Sequence, residues 1–371
     1  MPAEPISISV GGQEYGFWHS IEITVGLDTV DTIALSAPFE SDRAGFREIF
    51  RPFSFQEIKA WIGGVLIFTG TMVDVRPELK PESRMVEMSG YGKPGVLTDC
   101  TMPSASFPLE FKGAGLREIA IGICEPFGIE VDYRLDDDAP FDKIALVKAA
   151  KVKRRGRARH GRDHSFDKVA IEHDTKPWEF LAKLAKQRNA VLTSSSSGEL
   201  LIWCAVPTEP IARFEAGKPP LTRVEVEFDP QNYYSEITGY APTKAGRKGS
   251  NYTARNERLS DVIRPHCFTC DDAEDADAPE ATTAKLGRMF GAAAAFKLPE
   301  LPTFRDPTGA LWHPNTTINL LAPDAMIYRA TDLIVRNATL KQTGDSQTAD
   351  LSLAFTGAFT GEAPTEFPWD L

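Results

Sequence analysis

The chain has 371 residues, with 52 acidic and 41 basic side chains and a net charge of -11. Its 42% hydrophobic and 25% charged content excludes general disorder, and the negative charge argues against a surface built wholly for nucleic acid. No apolar run reaches about 18 residues and the N-terminus lacks the features of a signal peptide, so we expect no membrane span and a protein kept in a cytoplasm.

Residues 1–100 predict a first β domain. Ile6–Val10 alternates apolar and polar residues, and the pairs Gly11-Gly12 and Gly63-Gly64 have the freedom at positive φ that tight hairpins require. Further short strands follow about ten residues apart, with turn residues between them. This spacing is typical of a small barrel or sandwich.

Residues 101–206 predict a small α/β domain. Leu116–Cys124 is apolar at helical spacing, and a second helix begins near Pro177, with its buried stripe over Trp178, Leu181 and Leu184. We interpret that stripe as core rather than as a ligand-binding ridge. The two segments match at an offset of 62, as follows: Leu116 with Trp178, Ile119 with Leu181, Ala120 with Ala182, Ile123 with Ala185 and Ile129 with Val191. We therefore expect one duplicated strand–helix–strand unit.

Residues 207–360 predict a second β domain with one helix over 281–298, where an alanine run has high helix propensity. The tail, 361–371, is expected to pack only through Phe367 and Trp369. The predicted fold class is α+β, mainly β, with two antiparallel β domains flanking the duplicated α/β insert. The two β domains are candidates for copies of one fold.

Motifs for common chemistry are missing from the sequence. It has no phosphate loop, no dinucleotide-binding glycine motif, no G-x-S-x-G elbow and no H-E-x-x-H. Asp136–Asp138 and the pair Asp163 and Asp167 are more typical of turns than of catalytic carboxylates. We predict no catalytic residues, no cofactor and no enzyme activity.

The strongest metal candidate is His266-Cys267 with Cys270, to which a residue from elsewhere in the chain, such as His313, could add a ligand. A closed zinc site needs four ligands, and two reduced thiols beside a strand are the favoured interpretation. The five cysteines are scattered and odd in number, which fits free thiols in a reducing compartment. The acidic segment 271–280 lacks the glycine and spacing of a calcium loop, so we predict no metal site.

A basic loop over 148–162 is the most suggestive feature. It holds eight basic residues and no acid: Lys148, Lys151, Lys153, Arg154, Arg155, Arg157, Arg159 and Arg162. Such a loop attracts phosphates without reading sequence, and it lacks the aromatic residues of a single-strand groove. It is either a solvated loop or a surface facing nucleic acid or an acidic partner. A second basic segment, with Lys244, Arg247, Lys248, Arg255 and Arg258, leaves the same alternatives open.

Taken in order, several segments resemble the Mu-like baseplate hub family of contractile-tailed phages, which is related to the hub of T-even phages. The most telling is Leu116–Ile119 followed by Glu125–Ile129. Other matching segments lie along the whole chain: 18–23, 68–73, 176–185, 311–314, 334–336 and 351–353.

This resemblance implies a virion structural protein, found in the tail baseplate and made in the host cytoplasm. Such hubs are homotrimers in which each subunit supplies two tube-like antiparallel β-barrel domains. The implied role is a ring-forming adaptor that joins the tail tube protein to the central spike protein around the DNA channel. Other baseplate (wedge) proteins and transient, non-specific contact with DNA are implied as further partners, and the insert is similar to LysM-type modules.

Two alternatives remain open at this point. A contractile secretion machine would use a hub of the same fold. A peptidoglycan-binding protein would instead use the LysM-like insert, although the repeats lack an evident sugar platform.

Overall fold

The computed structural model describes residues 4–81, 83–135, 165–241, 251–270, 277–361, 364 and 366–370. The strands are β1 (Ile6–Val10), β2 (Gln13–Tyr15), β3 (Ser20–Gly26), β4 (Thr32–Pro38), β5 (Glu57–Ile62), β6 (Val65–Lys80), β7 (Ser83–Gly92), β8 (Glu110–Ala114), β9 (Val131–Arg134), β10 (Phe166–Ala170), β11 (Val191–Ser194), β12 (Leu200–Trp203), β13 (Ala212–Glu215), β14 (Glu225–Phe228), β15 (Glu236–Tyr240), β16 (Asn251–Arg255), β17 (Pro265–Thr269), β18 (Ala294–Leu301), β19 (Thr317–Ala322), β20 (Ile327–Thr343) and β21 (Ser346–Phe355). The helices are α1 (Ala44–Ile49), α2 (Val96–Asp99), α3 (Leu116–Cys124), α4 (Pro177–Gln187), α5 (Asp277–Ala293) and α6 (Gly357–Thr360).

One 13-stranded sheet organises the chain, in the order β14-β18-β21-β20-β3-β4-β7-β6-β5-β1-β2, with β19 on β20 and β13 on β19. The mainly β fold predicted from the sequence is confirmed. The two separate barrels are not found, because neither half of this sheet closes on itself within the described residues. The reason is that β3 uses its outer edge to pair with β20, so the two halves share one sheet.

The seam between β3 and β20 joins residues far apart in sequence. Residues 20–26 pair antiparallel with residues 337–343. Ile23 and Leu340 face each other there, and both are fully buried. On the other face, the hydroxyls of Thr24 and Thr339 lie 3.0 Å apart. The seam is thus dry on one side and polar on the other, as one half-buried sheet requires.

The two hairpins β6–β7 and β20–β21 have the same register. Pro77 pairs with Val86 and Leu340 with Ala349, so residues of the second hairpin carry numbers 263 higher than their counterparts. Each hairpin also has a β-bulge at the same place. The matching register shifts are Met72/Asp74 and Val335/Asn337.

The strands outside these hairpins continue the correspondence. Leu35 pairs with Met88 and Leu298 with Leu351, again 263 residues apart, so β18 is the counterpart of β4. The next pair of strands also corresponds, with β14 as the counterpart of β3. Ile23 of β3 pairs with Ile33 of β4, and their counterparts Val226 of β14 and Phe296 of β18 pair in the same way. The four-strand unit β3-β4-β7-β6 is therefore repeated, strand for strand, as β14-β18-β21-β20.

The insert has its own core and the predicted duplication. Its two copies are β8-α3-β9 and β10-α4-β11, with β8 paired to β10. Ile119 and its counterpart Leu181 are both fully buried in that core, and Trp178 packs against it. The stripe is therefore core, as we interpreted it from the sequence. The likeness to LysM modules stays a prediction.

The insert is fastened to the big sheet at the turn between β3 and β4. Thr193 of β11 donates its hydroxyl to the carbonyl oxygens of Gly26, at 2.8 Å, and Thr29, at 2.7 Å. The backbone N–H of Asp31 donates to the hydroxyl of Ser194, at 2.9 Å. Asp31, Thr193 and Ser194 are all buried. Because buried hydrogen bonds of this kind are costly to break, they fix the position of the insert against the large sheet.

Two sequence predictions near the C-terminus have different outcomes. The helix expected over 281–298 runs from Asp277 to Ala293, and its expected end is instead strand β18. Ala294, Phe296 and Leu298 alternate with more exposed residues and pair into the sheet, and this burial overrides the helix propensity of the alanine run. In the tail, Phe367 is buried and stacks on Trp369 at 4.6 Å, as predicted. The expectation that the tail packs only through these two residues is wrong, because the carbonyl oxygen of Pro368 accepts from the backbone N–H of Tyr328 at 2.9 Å and Asp370 lies 2.6 Å from Arg258. No helix in the described ranges is long and apolar enough to cross a membrane.

We expect Gly287→Ala to destabilise the fold. A Cβ at Gly287 of α5 would overlap the carbonyl oxygen of Gly357 in α6 and lie 2.7 Å from the Cα of Gly361. Because both neighbours are backbone, the helices must shift, at a cost of about 2 kcal/mol in the free energy of unfolding. Denaturant titration measures this value. The matched control is Gly45→Ala in α1, where nothing lies within 4 Å of the new Cβ and where alanine should not lower stability.

Candidate assembly edges

Strand β14 forms one end of the sheet, because it pairs only with β18 among the strands of the described ranges. Val226 and Phe228 alternate with Glu225 and Glu227 along it. Phe228 is 41% exposed. An edge with free backbone groups and apolar side chains on one face is a template for another strand.

The distal half of β6 is a second unpaired edge. Strand β5 pairs with β6 as far as Thr71, and the backbone N–H of Met72 donates to the carbonyl oxygen of Gln56 at 2.9 Å; beyond Met72 the described residues supply no strand partner on that side. Val75, Pro77 and Leu79 share one face there, and Leu79 is 79% exposed. The counterparts of Val75 and Pro77 in β20, Ala338 and Leu340, are fully buried at the seam, whereas the counterpart of Leu79 is the half-buried Gln342.

These two edges are the counterparts of the two strands that already pair inside the chain. In the repeated unit, β6 corresponds to β20 and β14 corresponds to β3. Applying the register of the seam gives a specific ladder between copies. It would pair Asp74 with Asp229, Val75 with Phe228, Arg76 with Glu227, Pro77 with Val226, Glu78 with Glu225, Leu79 with Val224 and Lys80 with Arg223.

The apolar face of that ladder is complementary, and its charged face is mixed. All of its apolar residues face apolar residues, and a shift by one position would place them against charges. Arg76 would lie opposite Glu227. Three pairs would bring like charges together: Asp74 with Asp229, Glu78 with Glu225, and Lys80 with Arg223. Glu78 and Glu225 each already have a nearby cation of their own chain, Lys80 at 2.9 Å and Arg223 at 2.6 Å, respectively.

The internal seam has an ionic contact that the ladder lacks. There Lys341 lies 2.8 Å from Asp350 and 3.7 Å from Glu22 of β3. A hydrogen bond with Asp350 is the main cause that raises the pKa of Lys341 above its ordinary value. Because Glu78 stands where β20 has Lys341, a joint between copies would lack this attraction and be weaker than the seam.

The basic loop predicted from the sequence, Lys148 to Arg162, lies outside the described residues, as do Lys244, Arg247 and Lys248. Arg258 contacts the C-terminal tail, where it lies 2.6 Å from Asp370. The backbone N–H of Phe367 and the Arg258 guanidinium hold the pKa of Asp370 below its ordinary value. Arg258 therefore has a structural partner.

The metal candidate is not assembled in the described part of the chain. Cys267 is exposed on β17, whereas Cys270 is buried. His313 is buried, and its Nδ1 lies 3.0 Å from the carbonyl oxygen of Pro314. No group of three or more potential metal ligands occurs among the residues that the structure describes. Asp136–Asp138, Asp163 and most of the acidic segment lie outside them.

Comparison with known proteins gives the following relatives. A family model described as "Baseplate hub protein gp44-like, second domain" matches residues 94–154. The baseplate hub protein gp44 of Escherichia phage Mu is 24% identical over 350 residues, covering 90% of this chain and 83% of that protein.

Two solved structures share the fold over nearly the whole chain. The 43 kDa tail protein of prophage MuSo2 from Shewanella oneidensis has a TM-score of 0.73 and 22% identity, covering 96% of this chain and 99% of that one. A tail protein from Neisseria meningitidis has a TM-score of 0.74 and 17% identity, with 97% and 98% covered. The sequence resemblance to Mu-like baseplate hub proteins is confirmed. The secretion-machine and peptidoglycan-binding alternatives remain predictions.

Proposed function

Because the chain is related to the baseplate hub proteins of Mu-like phages, we propose that it forms a ring in the tail baseplate that joins the tail tube to the central spike around the DNA channel. The observation that carries this proposal is the repeated four-strand unit, which ends in two complementary unpaired edges. The internal seam is the pattern for the joint between copies.

A joint between β6 of one copy and β14 of the next is heterologous, since different surfaces meet. Heterologous joints generate closed rings when the rotation between copies closes. Each chain would contribute two similar units, so a trimer would present six units in a cycle. Such a ring would suit a sixfold tube on one face and a threefold spike on the other. The sheets of the three chains would then join edge to edge into one closed barrel, which neither half of a chain closes alone.

This arrangement assigns the partners by surface. The tail tube protein would meet the face with six similar units, and the central spike protein would meet the face that distinguishes the units. Other baseplate (wedge) proteins would bind the outside of the ring. The assembled particle would be the virion tail, after assembly in the host cytoplasm.

Paired cysteines test the joint directly. In the seam, Thr24 and Thr339 are directly opposite each other and their hydroxyls are 3.0 Å apart. The Cβ atoms of directly opposed residues lie about 4.5–5.5 Å apart, and the near end of that range allows a disulfide. The counterparts of Thr24 and Thr339 are Glu227 and Arg76. In a background with the exposed Cys100 and Cys267 changed to serine, the double variant Arg76→Cys/Glu227→Cys should form covalent multimers under mild oxidation, ending at a closed trimer in non-reducing electrophoresis.

Three controls make the cysteine experiment specific. Arg76→Cys or Glu227→Cys alone should stop at dimers or remain uncrosslinked. The pair Glu78→Cys/Glu227→Cys is out of register and should crosslink poorly. Equal crosslinking by the in-register and out-of-register pairs, or a double variant that stays monomeric when concentrated, would contradict the proposed joint.

A charge change at Glu78 should strengthen assembly. Glu78→Lys would place a cation opposite Glu225, as Lys341 lies opposite Glu22 in the seam. Relieving the like-charge pair and forming an opposite-charge pair is expected to lower the dissociation constant of each joint by roughly fivefold. Light scattering behind size exclusion, over a range of concentrations, measures this. Glu172→Lys, an equal charge change on the exposed surface of the insert, should have no effect.

The basic loop is the remaining candidate contact. We propose that residues 148–162 face either the DNA channel or an acidic neighbouring protein, since eight cations without an acid attract polyanions. Changing Arg154, Arg155, Arg157, Arg159 and Arg162 to serine should then lower infectivity or particle assembly. Unchanged assembly and infectivity would leave it a solvated loop.

A further inference from the structure

A half-open cleft lies between the insert and the second β unit. It has a volume of about 480 Å³ and is bounded by α4 on one side and by α5, β15 and β17 on the other. Four basic side chains line it, and the described lining residues include no carboxylate: Lys183 and Lys186 of α4, and Lys285 and Arg288 of α5. The volume is in the range of small-molecule sites.

Among the described residues, no carboxylate forms an ion pair with Lys186, Lys285 or Arg288. Arg288 donates from Nη2 to the carbonyl oxygen of Ala190 at 2.9 Å, but its Nε is buried without a hydrogen-bond partner. Lys285 lies over the ring of Phe268, at 4.6 Å. Asp28, whose charge acts on Lys186 and Arg288, is itself paired with Arg336 at 3.2 Å.

The cations also act on one another. Burial lowers the pKa of Lys186, and the nearby charge of Arg288 lowers it further. Burial likewise lowers the pKa of Lys285, with Lys186 adding to the effect. Each of these groups would be stabilised in its charged form by an anion placed among them.

His266 adds a polar atom to the same wall. Its ring stacks on Tyr234, with centroids 4.6 Å apart, and its Nε2 is buried without a hydrogen-bond partner. Lys285 is close enough to contribute to a lowered pKa of His266, after burial. A neutral imidazole with Nε2–H is a hydrogen-bond donor beside the cations.

We propose that this cleft binds a phosphate group, held by Lys186, Lys285, Arg288 and the Nε2–H of His266. A phosphate carries enough charge for several cations and accepts hydrogen bonds from all of them, and a guanidinium matches its geometry. The cleft is larger than one phosphate, so it takes the group either as a free ion or on a small phosphate monoester.

Titration of the full chain with inorganic phosphate and, separately, with adenosine monophosphate tests this proposal, by calorimetry or ³¹P line broadening at low ionic strength. We expect saturable binding of one equivalent in the millimolar range or tighter. Lys186→Gln and Lys285→Gln should each weaken it at least fivefold. Lys285→Arg keeps the charge and should retain it. Lys218→Gln is the matched control, because Lys218 is exposed elsewhere and already paired with Glu215 at 2.6 Å.

The two probes distinguish the sources of the phosphate. Tighter binding of the monoester identifies an esterified ligand, and equal binding identifies the free ion. Either result supports the site if Lys186→Gln and Lys285→Gln weaken the binding. Absence of saturable binding, or equal affinity in Lys186→Gln, Lys285→Gln and the native chain, would overturn it. So would binding of a glutamate-rich peptide in the cleft without either phosphate, because the occupant would then be an acidic protein segment.

Discussion

Pairing of β3 with β20 is the constraint on which the rest of the molecule depends. Backbone groups at a strand edge need partners, and this seam supplies them between residues more than 300 positions apart. It fuses the two units into one sheet and holds the turn at which Thr193 and Ser194 anchor the insert. It also determines which strand edges stay unpaired. The first unit pairs through β3 and the second through β20, so β6 of the first unit and β14 of the second are left at the ends.

Local features of this fold follow from the sequence. Gly11-Gly12 and Gly63-Gly64 adopt the positive φ that their hairpins need. The insert's duplication is visible because Ile119 and Leu181 hold equivalent buried positions. Strand β18 was missed because its alanines favour a helix in isolation, and only the partner strand β21 reveals the alternation. The unit repeat is hidden because its offset changes from 203 between β3 and β14 to 263 for the other strands.

Functional surfaces were harder to predict than elements, for a physical reason. The run over 148–162 attracts notice because its cations are adjacent in sequence. The cleft cations Lys186 and Lys285 are almost a hundred positions apart and converge only when α4 packs against α5. Likewise, an alternation such as that of Val226 and Phe228 predicts a strand but cannot tell an inner strand from an outer one. That distinction exists only in the assembled sheet.

The long separation across the seam has a consequence for the order of synthesis. On a ribosome that adds about 5 to 20 residues per second, β3 emerges roughly 15 to 60 s before β20 is complete. During that interval the edge of β3 is unoccupied, and it has the same fold position as β14. A finished chain nearby can offer the distal edge of its β6 to it, in competition with the nascent chain's own β20. The yield of correctly folded protein should therefore fall as its expression level rises. The contact between β3 and a foreign β6 has Glu78 where β20 has Lys341, and this weaker contact favours its replacement by the chain's own β20.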